Sequence, residues 1–244
     1  MKKIIISTIA AIGMFGAVGA QDNSSAASAR SFIGLTGGYS HLMGPLTEAD
    51  YDDPGAGFSS SSGMNFGIEG ARFFGKNFGI GGVFSGAAFY SYGMQPLADG
   101  YKEDFDVDST TVTADKPYQF YNFFVGPYYS VPVGKLSLDF RIVGGLTHAS
   151  TPEYRIDLED QTDATFYQNA AKANAFGFQA GAGIRYNVLS MLCLKLNADY
   201  YYTKPDFTVT NSNRVNSAGR LITEYHEPVS MLHLNFGIAY LFGS

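Results

Sequence analysis

One cysteine, no tryptophan and only 16% charged residues are spread over 244 positions. Each scarcity excludes something. Cys193 stands alone and cannot form an internal disulfide, and its expected role is that of a small residue packed inside the fold. With so little charge, few faces can be bathed in bulk water. The formal net charge of −6 argues against a nucleic-acid partner. After the first twenty residues no stretch supplies the roughly eighteen uninterrupted apolar residues that a membrane-crossing helix needs. What is abundant instead is Gly (29), Phe (20) and Tyr (17), a composition that favours an all-β chain.

The N-terminus predicts a compartment. Lys2 and Lys3 precede an apolar run from Ile4 to Val18, and Val18-Gly19-Ala20 offers a small-x-Ala cleavage site. This pattern reads as a secretory signal peptide over residues 1–20. Gln21, not Cys, follows the cut, so no lipoprotein anchor is expected. Residues 21–30, rich in Ser and Ala, read as a flexible lead-in. The expected mature chain has 224 residues and a formal charge of −8, once Lys2 and Lys3 are gone, and is sized for one domain over 31–242.

Lys135 to His148, KLSLDFRIVGGLTH, carries the strongest periodicity. One face reads Leu136, Leu138, Phe140, Ile142, Leu146, and the other holds Asp139 and Arg141. Alternating side chains of a strand point to opposite sides. A soluble sheet would turn the apolar face to its core; a membrane barrel would turn it to lipid. Seven further stretches alternate in the same way: Ser31 to Leu42, Gly63 to Phe74, Phe78 to Tyr92, Tyr118 to Val131, Ala173 to Val188, a segment ending at Thr203, and Val229 to Phe242. Their connections alternate long, short, long, short, long, short, long. That rhythm predicts an eight-stranded antiparallel up-and-down transmembrane β-barrel, with long loops at one rim and tight turns at the other.

Mid-strand charges on the polar face number three of each sign: Glu69, Asp139 and Asp199 against Arg141, Arg185 and Lys195. The rest of that face reads as Gly, Ser, Asn, Gln, Thr and Ala. Eight strands leave an interior that side chains can fill, so these six residues are expected to pair as a luminal ion-pair network. The alternative is that lumen water solvates them singly. Aromatic residues gather at strand ends (Phe73, Phe74, Tyr92, Tyr129, Tyr186, Tyr200, Tyr202, Tyr240), as interfacial girdles do. The C-terminal run Leu232, Leu234, Phe236, Ile238, Tyr240, Phe242 alternates without a break.

Across all eight strands this pattern resembles the small eight-stranded outer-membrane β-barrel family of Gram-negative bacteria, of the OmpX and OmpA transmembrane-domain type. The resemblance implies location in the outer membrane, contact with membrane lipid and lipopolysaccharide, and folding by the barrel-assembly machinery, with Phe236, Tyr240 and Phe242 in the assembly signal. Gly243 and Ser244 trailing that signal are a small departure.

Chemical motifs are sparse, and no cofactor, metal site or catalytic residue is expected. Gly79-x-Gly81-Gly82 is not followed by a helix and reads as close packing within a strand. His41, His148, His226 and His233 all fall near the long-loop rim, but on strands from opposite sides of the barrel. His148-Ala149-Ser150 with Glu153 is similar to the arrangement of outer-membrane lipid A deacylases, in which Ser attacks an ester and His is the base, although LTHASTPE does not otherwise match them. The long loops carry formal charges of −4, −4, −3 and 0, a surface suited to divalent cations bridging to lipopolysaccharide or to a basic partner. Tyr51, Phe58, Tyr101, Phe105, Phe166, Tyr167 and Phe207 in these loops are either ligand contacts or packing among the loops. The function expected first is structural or adhesive, with an extracellular protein or matrix ligand met by the loops; a narrow, porin-like solute channel comes second and a lipid A-modifying hydrolase third.

Overall fold

Eight segments with alternating apolar and polar side chains pair in one antiparallel sheet that closes on itself. The computed structural model describes residues 29–53, 55–74, 76–159, 164–209 and 224–243; the expected signal peptide and nearly all of the expected lead-in lie outside them. In chain order the elements are β1 (Ser31–Met43), a 3-10 turn (Pro45–Thr47), β2 (Ser62–Phe74), β3 (Phe78–Phe89), α1 (Met94–Phe105), β4 (Ser109–Thr113), β5 (Tyr118–Val133), β6 (Leu136–Ser150), β7 (Tyr154–Glu159), β8 (Ala164–Gln168), β9 (Lys172–Leu189), β10 (Leu192–Thr203), β11 (Phe207–Thr208), β12 (Glu224–Tyr225) and β13 (Val229–Phe242). The barrel order is β1-β13-β10-β9-β6-β5-β3-β2. Sequential barrel strands are therefore neighbours, and the first pairs with the last from Ser31 opposite Phe242 to Met43 opposite Ser230.

The two faces of β6 settle which side meets what. Ile142 is 64% exposed while its neighbour Arg141 is 8% exposed. The same holds around the wall: Leu35, Phe66, Phe84, Phe123, Phe176, Leu196 and Phe236 all stand outward and exposed. An apolar exterior through the middle of the wall, with the mid-strand charges turned inward, is the arrangement of a barrel in lipid. Among the described residues no helix is long and apolar enough to cross a membrane; the strands do so.

Two expectations are corrected here. Phe73 does not join the girdle: it occupies an inward position on β2 and packs its ring 6.4 Å from that of Phe32. The inward face is also far from exclusively small and polar, because Phe32, Leu42, Phe120, Phe124, Tyr128, Tyr201 and Met231 are fully buried inside the barrel. Parity explains both, since a strand's inward set takes every second residue whatever its type, and a lumen to be filled needs bulk as well as polarity.

The long connections are not plain loops. Between β3 and β5 lie α1 and β4, and between β6 and β9 lie β7 and β8; β4, β7 and β8 form their own antiparallel sheet in the order β4-β7-β8. Helix α1 buries Leu97, Ala98 and Tyr101, a spacing of one and three residues that lies on one helical face. These meet Ala56, Phe58, Val107, Val112, Tyr154, Ile156, Leu158 and Phe166 in a second apolar core. Tyr101 is its hub, with the rings of Tyr51 and Phe166 edge-on at 5.4 and 5.5 Å. Alternation within segments as short as five or six residues was hidden in a stretch dominated by acidic residues.

Ile156 is wholly buried at the centre of this cap core. Ile156→Ala is expected to cost the cap about 2–5 kcal/mol. Limited proteolysis should then cut within residues 94–117 or 151–171, while the barrel keeps its heat-modifiable gel mobility.

Candidate functional site

Six charged side chains converge inside the barrel, placed there by the inward parity of four strands: Glu69 from β2, Asp139 and Arg141 from β6, Arg185 from β9, Lys195 and Asp199 from β10. They form two groups. In the first, Arg141 donates from Nε and Nη2 to the two carboxylate oxygens of Asp199, at 2.9 and 2.6 Å. Its remaining Nη1 donates to Glu69 Oε2. Glu69 Oε1 in turn accepts from Lys195 Nζ at 2.6 Å and from Asn197 Nδ2 at 2.9 Å. In the second, Arg185 grips Asp139 with two parallel bonds of 2.5 and 2.9 Å and also donates to Ser130 Oγ and to the Arg30 carbonyl, both at 3.0 Å. Forked guanidinium–carboxylate pairs of this kind are the strong class of hydrogen bond.

Glycine makes the reach possible. In register, Arg141 on β6 and Asp199 on β10 are both opposite Gly181 of the intervening β9, and Asp139 and Asn197 are both opposite Gly183. A Cβ at Gly181 would land on the Asp199 carboxylate and one at Gly183 on the Asn197 amide. The Arg141–Asp199 pair therefore passes over β9 where Gly181 has no side chain, and Gly183 leaves room for the Asn197 amide beside it. Phe32 joins the groups: its ring centroid lies 3.6 Å from Lys195 Nζ and 4.5 Å from Arg185 Cζ, so both cations rest on one aromatic ring.

Above and below this layer the lumen is closed. Phe32, Phe73 and Cys193 fill the turn end, and Phe124 stacks on Tyr201 at 5.9 Å toward the loop end. Tyr201 and Asn122 meet at the Thr147 hydroxyl, at 3.0 and 2.9 Å. A polar gap of about 10 Å³, lined in part by Asn65, Gln179, His233 and Asn235, is left between them, room for about one water molecule. The cap then seals the mouth, where the hydroxyls of Tyr118 and Tyr154 both donate to the Gly57 carbonyl, at 2.7 and 2.8 Å.

The histidines are dispersed, and one changes its place. His233 is not a rim residue but an inward, buried one whose Nδ1 shares a 2.6 Å hydrogen bond with Ser40 Oγ. His148 and Ser150 share the outward face of β6, yet His148 Nδ1 pairs with Asn174 Oδ1 across the strand at 2.8 Å. Among the described residues no hydrogen bond links His148, Ser150 and Glu153. The loop aromatics are used for packing: Phe58, Tyr101, Phe166 and Phe207 are buried, and Tyr51 and Phe105 lean on the cap core. Phe236, Tyr240 and Phe242 project outward along β13.

Outside the membrane-spanning wall, the carboxyl of Asp157 is held below the usual carboxylate range by the Thr165 hydroxyl at 2.5 Å and by Arg155. His226, beside the β11–β12 pair, is bracketed by Asp206 at 2.9 Å and Glu224 at 3.2 Å. Hydrogen bonds to Asp206 and then Glu224 raise its pKa above the ordinary 6.5.

Sequence reasoning missed Asn197, Ser130 and the Phe32 platform. Asn197 and Ser130 share the inward parity of the charged residues, which was a usable signal; nothing in the pattern marks Phe32 as a seat for two cations.

Neither a protein-family model nor a curated protein sequence matches the chain. Among solved structures it is similar to Ail, the attachment invasion locus protein of Yersinia pestis, with 14% identity, a TM-score of 0.42, and 88% of this chain and 99% of that chain covered. It is also similar to the outer membrane protein OprG of Pseudomonas aeruginosa, at 12% identity and a TM-score of 0.42 over 90% of this chain and 99% of that one. A major outer membrane protein from Thermus thermophilus gives 15% identity and a TM-score of 0.44 over 88% and 100%. At such identities the likeness is one of fold.

Two outcomes are expected. Arg141→Met leaves Glu69 and Asp199 short of a buried cation, so unfolding in denaturant should be easier by about 3–5 kcal/mol, while Asp199→Asn alone should cost less. For His226, a raised folded-state pKa means that its contribution to the β11–β12 pair is complete below the unfolded pKa and lost as pH rises through the folded one. An NMR titration should place its midpoint above 6.5, and Asp206→Asn should bring the midpoint down.

Proposed function

We propose that this eight-stranded outer-membrane β-barrel conducts no solute and works through its external cap, as a structural or adhesive protein that binds a partner outside the cell. The observation that carries the reading is the pairing of a filled lumen with folded loops. All six luminal charges are matched within the wall, aromatic rings occupy the levels on either side, and three of the four long connections share a core that holds one outward surface in place. A chain that needed only to span the membrane has no use for a folded cap.

That surface is acidic: Glu48, Asp50, Asp52, Asp99, Glu103, Asp104, Asp108 and Glu153 stand among few cations. Its complement is a basic protein or matrix face, or lipopolysaccharide bridged by divalent cations. The unbroken outward row on β13, with Phe236, Tyr240 and Phe242, supports its reading by the barrel-assembly machinery, and export by the N-terminal segment belongs to the same proposal. Against the hydrolase stands the pairing of His148 with Asn174 rather than with a carboxylate, which leaves Ser150 without the oriented base that acyl transfer requires.

In planar bilayers the purified protein should show no steady conductance. Cells displaying a variant with residues 94–115 replaced by a short linker should reach the same outer-membrane level yet attach less to a matrix-coated surface. Steady single-channel steps would replace this reading with the channel, and an altered lipid A mass spectrum in a Ser150→Ala strain would replace it with the hydrolase.

A further inference from the structure

Once the luminal network and the long-loop rim are set aside, the remaining charged side chains of the described residues are four, and all are cations: Arg30, Arg72, Lys76 and Lys135. All four sit at the turn rim. Arg30 precedes β1, Arg72 lies near the end of β2, Lys76 lies in the β2–β3 turn, and Lys135 lies in the β5–β6 turn. In barrel order these positions fall on the contiguous arc β1-β2-β3-β5-β6, whereas the β9–β10 turn and the described end of β13 carry no charge. None of the four has a carboxylate within ion-pair distance among the described residues.

Their surroundings fit a membrane surface. Arg72 is on the outward face of β2, exposed, with its guanidinium carbon 5.9 Å from the centre of the Phe74 ring. Phe74, Phe78 and Tyr129 are exposed beside it and form the lower edge of the apolar belt. An arginine whose guanidinium lies over an aromatic ring of that edge sits at headgroup depth. Lys76 and Lys135 are exposed at the tips of the adjoining turns. Arg30 is pinned: its Nε donates to the Gly243 carbonyl at 3.2 Å and its Nη1 to that of Ser190, which carries its charge over to the end of β13 and the β9–β10 turn, so that it stands at the side of an arc made by Arg72, Lys76 and Lys135.

We propose that this arc is a docking surface for the anionic headgroups of phospholipids in the leaflet that meets the short turns. Four cations with no carboxylate within ion-pair distance among the described residues, Arg72 among them lying over an aromatic ring of the belt's edge, attract phosphate diesters of that leaflet. The opposite rim, crowned by acidic loops, cannot share this preference. The barrel thereby carries opposite charge at its two ends, and the lipid contact favours one height and one tilt for the wall. The inference rests on the reading of the exterior as lipid-facing, but not on the cap having a partner.

The test uses the full-length folded barrel in nanodiscs of mixed phosphatidylglycerol and phosphatidylcholine, which have no sidedness and so do not depend on orientation in cells. Native mass spectrometry of lipids retained by the protein should show phosphatidylglycerol enriched several-fold over the bulk mixture. The triple variant Arg72→Gln, Lys76→Gln, Lys135→Gln should lose most of that enrichment while keeping its heat-modifiable mobility, and Arg72→Lys should retain it. Molar salt during exchange should weaken the enrichment in the unmodified protein, an arm that decides the matter even if the triple variant fails to fold. Equal retention of the two lipids by the unmodified protein, or unchanged enrichment in the folded triple variant, overturns the proposal.

Discussion

Lipid offers no hydrogen bonds, so a sheet inside it must pair every backbone group with another of its own. The contact of β1 with β13 meets that demand by joining the first strand to the last. Once the sheet is closed, the remaining choices narrow. Alternation sends Leu35, Phe66, Ile142 and Phe236 outward and commits the opposite set to a confined interior, where polar atoms have only one another. Charge balance inside is then an obligation, and three carboxylates against three cations satisfy it. Gly181 and Gly183 belong to the same solution, because the first clears the path by which Arg141 of β6 reaches Asp199 of β10 across β9 and the second makes room for Asn197, which donates to Glu69.

The wall also explains the cap. Barrel strands of unequal length leave ragged ends at the loop rim, and the long connections cover them. Loop one is strapped across the mouth by hydrogen bonds from Phe58 to the Glu48 carbonyl and from Tyr92 to the Phe58 carbonyl, at 2.9 and 2.7 Å. The two tyrosine hydroxyls on the Gly57 carbonyl tie that strap to β5 and β7, while Tyr225 reaches Gly55 from the fourth connection. A surface built this way is presented rather than recruited, which lowers the ordering cost that a flexible loop meets on binding.

The barrel was legible in the sequence because its signal is long and repeated. Eight alternating runs and seven connections of alternating length leave little choice of topology, and β13 in particular runs from Val229 to Phe242 as its pattern indicates. The ionic layer was legible to the extent that parity sorts residues to a side, which Glu69, Asp139, Arg141, Arg185, Lys195 and Asp199 obey. Which partner each would choose was not, because pairing depends on side-chain length, on gaps at glycine and on strand stagger: Arg141 leaves Asp139, two residues away, to Arg185. The cap was hidden for a different reason. Its sheet uses strands of five or six residues, too short for a period to stand out, and its apolar residues are dispersed among acids that suggested solvated loops. His233 shows the same limit, since proximity to the rim in sequence says nothing of which side of the wall a residue takes.

The distribution of charge along the barrel axis follows from these parts rather than accompanying them. The lumen must be neutral because it is enclosed, and the belt must be uncharged because it meets lipid. Net charge is therefore displaced entirely to the two ends, acids to the cap and Arg30, Arg72, Lys76 and Lys135 to the turns. The tight turns are too short to fold into anything, so their charges contact whatever lies beneath the belt; the long connections have length enough to build a core, so theirs are lifted away from the membrane. A sealed wall thus leaves two surfaces able to act, one facing lipid headgroups and one facing outward, and the buried network between them holds both in fixed relation.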